Sequence, residues 1–299
     1  MKRGAMVFFL LIYSVPSLSF AAPVRLDVPV ANLEIEHAVP LPLARRIALL
    51  KSKETWGEGV LGNPIPLSDL NGNVVVYMFP FQIGGKTFPA HDEVLRGIKE
   101  GRELQSLVHN SQMDKAKETY RKMDRGKAAV RDTAVTAGPE IPLETVRPDG
   151  SLSRRKELQE ISRFASRKAI GAGEFGTILV AATYDQFPVP AYFHYLAPYF
   201  TNFDLALEKS AQAIGPEGVL RRIYFMGLEG QFFEFVSNSG STLINSKTLE
   251  NHPLEKLKQT GETPLQSLAD APGVSPKKMK RDTDIFHEWE KIKAAIGGE

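Results

Sequence analysis

The chain has 299 residues, 42% of them hydrophobic, with 37 basic and 35 acidic side chains and no cysteine. The missing thiol excludes disulfides, thiolate metal sites, a lipid-anchored N-terminal cysteine and cysteine nucleophiles. The formal charge of +2 resides in Lys2 and Arg3; without them the two signs balance at 35 each, and no global field draws the chain to nucleic acid.

At the start of the chain, Lys2 and Arg3 precede an apolar run over 7–13, and Ser19-Phe20-Ala21 supplies a small-x-small cleavage signal. This predicts a secretory signal peptide over 1–21, cut after Ala21, and a periplasmic or extracellular protein. The alternative is an uncleaved anchor. Against it, the run breaks at Ser14 and Pro16, short of the roughly 20 apolar residues a spanning helix needs, so no integral span is expected after cleavage. About 278 residues remain, enough for a sizeable core in one large or two small domains.

After a proline-marked lead over 23–42, Leu43, Ile47 and Leu50 recur at helical spacing, with Pro42 in the first turn. Ile65 and Leu67, then Asn71-Gly72, then residues 74–79 predict a hairpin, because Asn and Gly tolerate positive φ. Over 91–131 the pattern becomes charged helix. One apolar stripe contains Val94, Leu95, Ile98, Leu104 and Leu107, a break falls near Asn110-Ser111, and Ala116, Tyr120 and Met123 continue the stripe. Gly138-Pro139 and Pro148-Asp149-Gly150 mark a loop, and a further helix is expected from about Ser153 to Ala169. Residues 86–172 are therefore expected to form a helical insertion or a small subdomain.

Residues 178–182 are apolar on both alternating faces, which predicts a central strand covered on both sides. Thr201 or Asn202 is placed to cap a helix carrying Phe203, Ala206, Leu207, Ala211 and Ile214, which Gly215-Pro216 ends. A second hairpin joins residues 222–226 to 231–236 through a Gly227–Gly230 turn, and Leu243-Ile244 could add a short strand. The α+β domain is thus assigned to 22–250, a proline-bearing linker to 251–282, and an amphipathic C-terminal helix with Ile285, Trp289, Ile292 and Ile296 to 283–299. Helix followed by turn-linked strands occurs twice, with strands ending in Tyr77-Met78-Phe79 and Phe233-Glu234-Phe235. That order argues for an α+β fold of antiparallel sheet packed by helices, in two helix-hairpin units. Residue identity between the units does not support a duplication.

The segments PIPLSDLNGNVVVYMFPF and FGTILVAATYDQFPVPAYF resemble the prosegment of streptopain-type cysteine peptidases and related small inhibitors. Leu67, Ser68, Asp69, Gly72, Tyr77 and Phe79 match one motif of that family, and residues 178–181 with Asp185, Pro188 and Val189 approximate the next. The resemblance covers about 43–83 and 174–194. A long helical insertion separates the two matches, and no cysteine peptidase follows. It implies a cystatin-like antiparallel sheet without catalysis that engages another protein.

No catalytic signature is complete. Gly-x-Ser-x-Gly is absent, which removes a nucleophile elbow. His287-Glu288 has the first half of a zinc-binding helix and lacks the second histidine. The six histidines are scattered, so neither a metal nor another cofactor is expected. Residues 69–73 read as a turn, since the distal glutamate of a calcium loop is missing. Gly171-x-Gly173-x-x-Gly176 precedes a strand where a dinucleotide loop should follow one. Residues 115–131 carry seven basic against two acidic side chains and read as a solvated helix face, with an anionic surface as the alternative target.

Eight of the 27 aromatics fall within 184–203, where Pro188, Pro190 and Pro198 are expected to keep the backbone extended. Two readings stand: packing over the sheet, or a partner-binding groove built from Tyr184, Tyr192, His194, Tyr195 and Tyr199. The function expected is an exported, non-catalytic protein that binds a protein or peptide, inhibitor-like or chaperone-like. The alternatives are an exported hydrolase assembled from distant residues, such as His194, Asp185 and a serine, or an envelope structural protein.

Overall fold

A computed structural model describes residues 38–125, 151–227, 230–253 and 276–297. The expected signal peptide, the turn signals between 138 and 150 and the middle of the Gly227–Gly230 turn lie outside these residues.

The first unit opens with helix α1 (Leu41–Trp56), whose Pro42 sits in the first turn and whose Gly57, at φ 78°, ends it. Strands β1 (Gly59–Leu61) and β2 (Ile65–Ser68) follow one another along the same side of β3 (Val74–Ile83). The β2–β3 turn forms as its composition predicts. Asp69 Oδ1 accepts hydrogen bonds from the backbone N–H groups of Asn71 and Asn73, both at 2.9 Å, and Gly72 takes φ 91°. Helices α2 (His91–His109), α3 (Met113–Arg125) and α4 (Ser151–Ala169) stand between β3 and β4 (Phe175–Ala181), which pair antiparallel along the length of β4. Every residue of β4 is buried, as the double-sided apolar pattern requires. Strand β5 (Ala191–Phe193) completes this half of the sheet.

A single turn, α5 (Pro198–Thr201), leads to the second unit: α6 (Phe203–Ile214), then the meander β6 (Val219–Phe225), β7 (Gln231–Ser237), β8 (Gly240–Asn245) and β9 (Asn251–His252). Helix α7 (Pro276–Gly297) follows. The strand order is β5-β4-β3-β2-β6-β7-β8-β9, antiparallel throughout except where Ser68 of β2 meets Tyr224 of β6 in parallel. The architecture is α+β, with helices on an open, largely antiparallel sheet.

The two units meet through β2 and β6, and helices α1 and α6 lie on opposite faces. Helix α1 packs on β3 and β4 over Tyr77, Phe79, Phe81, Ile178 and Val180; α6 packs on β7 and β8 over Phe233, Phe235 and Ile244. Parallel contact at the centre with a face exchange is what a two-fold axis along the strands produces. The echo between Tyr77-Met78-Phe79 and Phe233-Glu234-Phe235 therefore reports equivalent strands turned over. Phe79, Phe81, Phe233 and Phe235 are fully buried, each stabilising the fold by about 2–3 kcal/mol before chain entropy is counted.

Several local expectations are corrected. Pro198 does not extend the chain but starts α5, because the first turn of a helix needs no N–H there. Asn202 precedes α6 without capping it: its Nδ2 donates to Ser246 O at 2.7 Å, so a tertiary partner takes the side chain. Helix α7 begins at Pro276, earlier than its apolar stripe, because its opening residues are charged and carry no periodic signal. The basic run is only partly a solvated face. Lys117 Nζ pairs with Glu157, and the Tyr120 hydroxyl donates to Glu160 at 3.1 Å, tying α3 to α4.

Candidate functional site

The aromatic run divides at the edge of the sheet. Strand β5 pairs with β4 on one side, and among the described residues no strand lies on the other. Such an edge presents unpaired backbone N–H and C=O groups. Tyr192 lies opposite Ile178 on the α1 face, whereas Phe193 lies opposite Thr177 on the other. Tyr192 is 44% exposed and Tyr195 39%, while the Phe193 and Tyr195 rings lie 5.6 Å apart between centres, tilted by 34°. Large aromatics thus stand on both faces of an edge that no described strand covers.

Residues remote in sequence hold this edge. Trp56, the last residue of α1, stacks on Phe81 at 5.5 Å and 20°. Its Nε1–H donates to His194 Nδ1 at 2.8 Å, and its indole meets the Tyr192 ring edge-on at 6.3 Å. Lys51, one turn earlier on α1, places its ammonium 5.3 Å from the centre of the Tyr192 ring. Gly176 makes room for the indole: a Cβ there would stand 2.4 Å from Trp56 Cζ2. On the other face, buried Thr177 donates its hydroxyl to Tyr195 O at 2.9 Å and accepts from Ala197 N–H at 3.0 Å, and Leu196 N–H donates to Ile170 O. These bonds fix the turn after β5, so Tyr195 is presented from a rigid base.

The remaining candidates lie elsewhere. Tyr184 is half-buried, edge-on to Trp289 of α7 at 4.7 Å with Lys293 over its ring. Tyr199 is 6% exposed and belongs to the core, surrounded by His91, Phe200, Phe203 and Phe233. Burial pushes its phenol well above the usual tyrosine range. It also lowers the His91 imidazole, an effect partly offset by the Asp92 carboxylate. Tyr192, His194 and Tyr195 are therefore brought together, whereas Tyr184 and Tyr199 are not part of that group. Sequence reasoning missed Trp56 and Lys51, since nothing local links a helix end to a strand more than a hundred residues later.

Among the described residues no hydrogen bonds assemble His194, Asp185 and a serine, and the hydrogen-bond partner of His194 is Trp56. The described residues also contain no group of three His, Cys, Asp or Glu side chains placed to hold a metal ion. No described helix is long and apolar enough to cross a membrane. Comparison with protein-family models, curated proteins and solved structures returned no match.

Proposed function

We propose that the chain is an exported, non-catalytic protein that binds a protein or peptide partner, in an inhibitor-like or chaperone-like way, along the β5 edge. The observation that carries this reading is the pair of exposed tyrosines, Tyr192 in β5 and Tyr195 in the turn just after it, beside a strand that has no described strand on its outer side. An extended segment added there would gain main-chain hydrogen bonds from the edge. Its alternate side chains would meet Tyr192, His194 and Trp56 on one face and Phe193 and Tyr195 on the other. Tyrosines offer large apolar area at little cost in side-chain entropy, which suits an interface.

The test is selection of displayed random peptides on the intact protein, followed by fluorescence anisotropy with the enriched sequences. Tyr192→Ala combined with Tyr195→Ala should weaken binding at least about tenfold, the size expected for two contacts of 1 kcal/mol or so. Backbone N-methylation of the peptide at alternate residues should weaken it comparably, since strand addition needs those N–H groups. Peptides that bind the double variant and the N-methylated form as tightly as the originals would overturn the reading.

A further inference from the structure

The hydrogen-bond pattern of the sheet fixes which backbone groups of β5 face outward. Ala182 N–H donates to Val75 O and Ile83 N–H to Glu174 O, so the even-numbered residues of β4 bond to β3. In an antiparallel pair a residue turns both its backbone groups to one side, and the side alternates along the strand. Thr177 and Leu179 therefore bond to Phe193 and Ala191, and Tyr192 directs its N–H and C=O away from β4. An antiparallel strand added there would place the residue opposite Tyr192 on the α1 face, beside the Tyr192 ring.

One bond ties that face together. The Tyr192 ring is met edge-on by Trp56 at 6.3 Å and by His194 at 5.9 Å, with the Lys51 ammonium 5.3 Å from its centre. Trp56 and His194 are themselves joined by the 2.8 Å bond from the indole N–H to Nδ1 of the imidazole. An indole nitrogen can only donate, so this bond exists while Nδ1 keeps its lone pair, with the imidazole neutral and its proton on Nε2. A second proton would occupy Nδ1 and set N–H against N–H. His194 is exposed, and solvent protons reach it directly. The titratable and charged groups on this face are Tyr192 from β5 and Lys51 from α1, whose ammonium pairs with Glu54 at 3.3 Å, while β4 and β3 contribute the uncharged Gly176 and Phe81 against the indole. Among the described residues no carboxylate pairs with the imidazole to hold it in its charged form.

We propose that the Trp56–His194 bond is a proton-operated latch that regulates partner binding at the β5 edge. Closed, with the imidazole neutral, it holds indole, imidazole and Tyr192 as one surface for the added strand; protonation of Nδ1 opens it and lowers the affinity. The latch rests on the strand-addition reading of this edge. Its sign follows from linkage. The closed arrangement binds one proton fewer than the open one, so affinity is full where the imidazole is neutral and falls as pH is lowered through its titration.

The test follows two NMR signals of the intact protein from about pH 8 to about pH 5, the range in which histidine ordinarily changes charge. One is the indole N–H of Trp56, assigned by its loss in Trp56→Phe; the other is the ring protons of His194, assigned by their loss in His194→Gln. The two should titrate with one midpoint. In His194→Gln, whose amide oxygen can accept the bond at every pH, the indole peak should stay still. Strand-adding peptides without ionisable side chains should bind the wild-type protein at least about threefold more weakly at about pH 5.5 than at about pH 7.5, the low end of what one hydrogen bond contributes, and His194→Gln should show a ratio near one. An indole peak that does not move in the wild type, or that moves equally in His194→Gln, overturns the latch without recourse to any peptide. A moving peak with equal affinity at both pH values overturns its regulatory role and leaves strand addition standing. Binding that ignores the tyrosine substitutions and the N-methylation overturns strand addition, and the regulation with it, even where the indole titrates as expected.

Discussion

Replacing Gly176 by alanine probes the edge at the point where it is most tightly built. The added Cβ would lie 2.4, 2.5 and 2.8 Å from Cζ2, Cη2 and Cε2 of Trp56, whereas carbon atoms in good contact stand about 3.5–4.0 Å apart. The indole must then move by about 1 Å. It is pressed from behind by Phe81, so it cannot move without giving up that stack or the 2.8 Å bond to His194. Overpacking of this kind costs about 1–3 kcal/mol, and loss of the hydrogen bond about 0.5–1.5 kcal/mol. Alanine returns about 0.5–1 kcal/mol through the reduced entropy of the unfolded chain. The net expectation is a loss of about 1–3 kcal/mol. Urea unfolding measures it, and the indole N–H cross-peak of Trp56 reports the hydrogen bond; with two tryptophans in the chain, Trp56→Phe assigns the peak. The peak should move in Gly176→Ala in the direction that His194→Ala moves it. A Gly176→Ala protein as stable as wild type, with the Trp56 peak unmoved, would refute the reasoning.

Other consequences can be checked separately. Gly101 of α2 lies against the backbone of α4, where a Cβ would meet Ala169 N at 2.4 Å; Gly101→Ala should destabilise the protein in urea despite a helix-propensity gain of about 1 kcal/mol. Trp289, 2% exposed and bonded through its indole N–H to Gln186 O at 2.8 Å, anchors α7. Trp289→Ala should cost about 3–5 kcal/mol and remove hydrogen-exchange protection from α7 before β3 and β4. Burial raises the phenols of Tyr77 and Tyr199, and that of Tyr224 is raised by burial and by Glu234. Above the usual tyrosine range the folded state then binds more protons than the unfolded state, so stability falls as pH rises past about 10 and is unaffected by these groups below it. Tyr199→Phe should reduce that fall by about 1.4 kcal/mol in total between pH 9 and 11, as read from urea midpoints.

The sequence by itself determined the elements whose signals are local. Apolar residues on both alternating positions over 178–182 require a strand buried on two sides, and β4 is one. Asp69, Asn71 and Gly72 carry their turn in their own hydrogen-bonding and φ preferences, and the stripe of Ile285, Trp289 and Ile296 specifies an amphipathic helix with one buried face. Tertiary structure alone decided the rest. Strands of two or three residues, such as β9 and β5, have no periodicity to read and exist because a neighbouring strand lies beside them. Tyr195 and Tyr199 look alike in sequence, yet a single turn of helix started by Pro198 sends one to the surface and the other into the core. The repeated motif showed two similar strands, but not that one is turned over, which places Met78 beneath a packed face and Glu234 beside a cavity. Periodicity records which residues share a face; which face is covered, and by what, depends on chain segments far away in sequence.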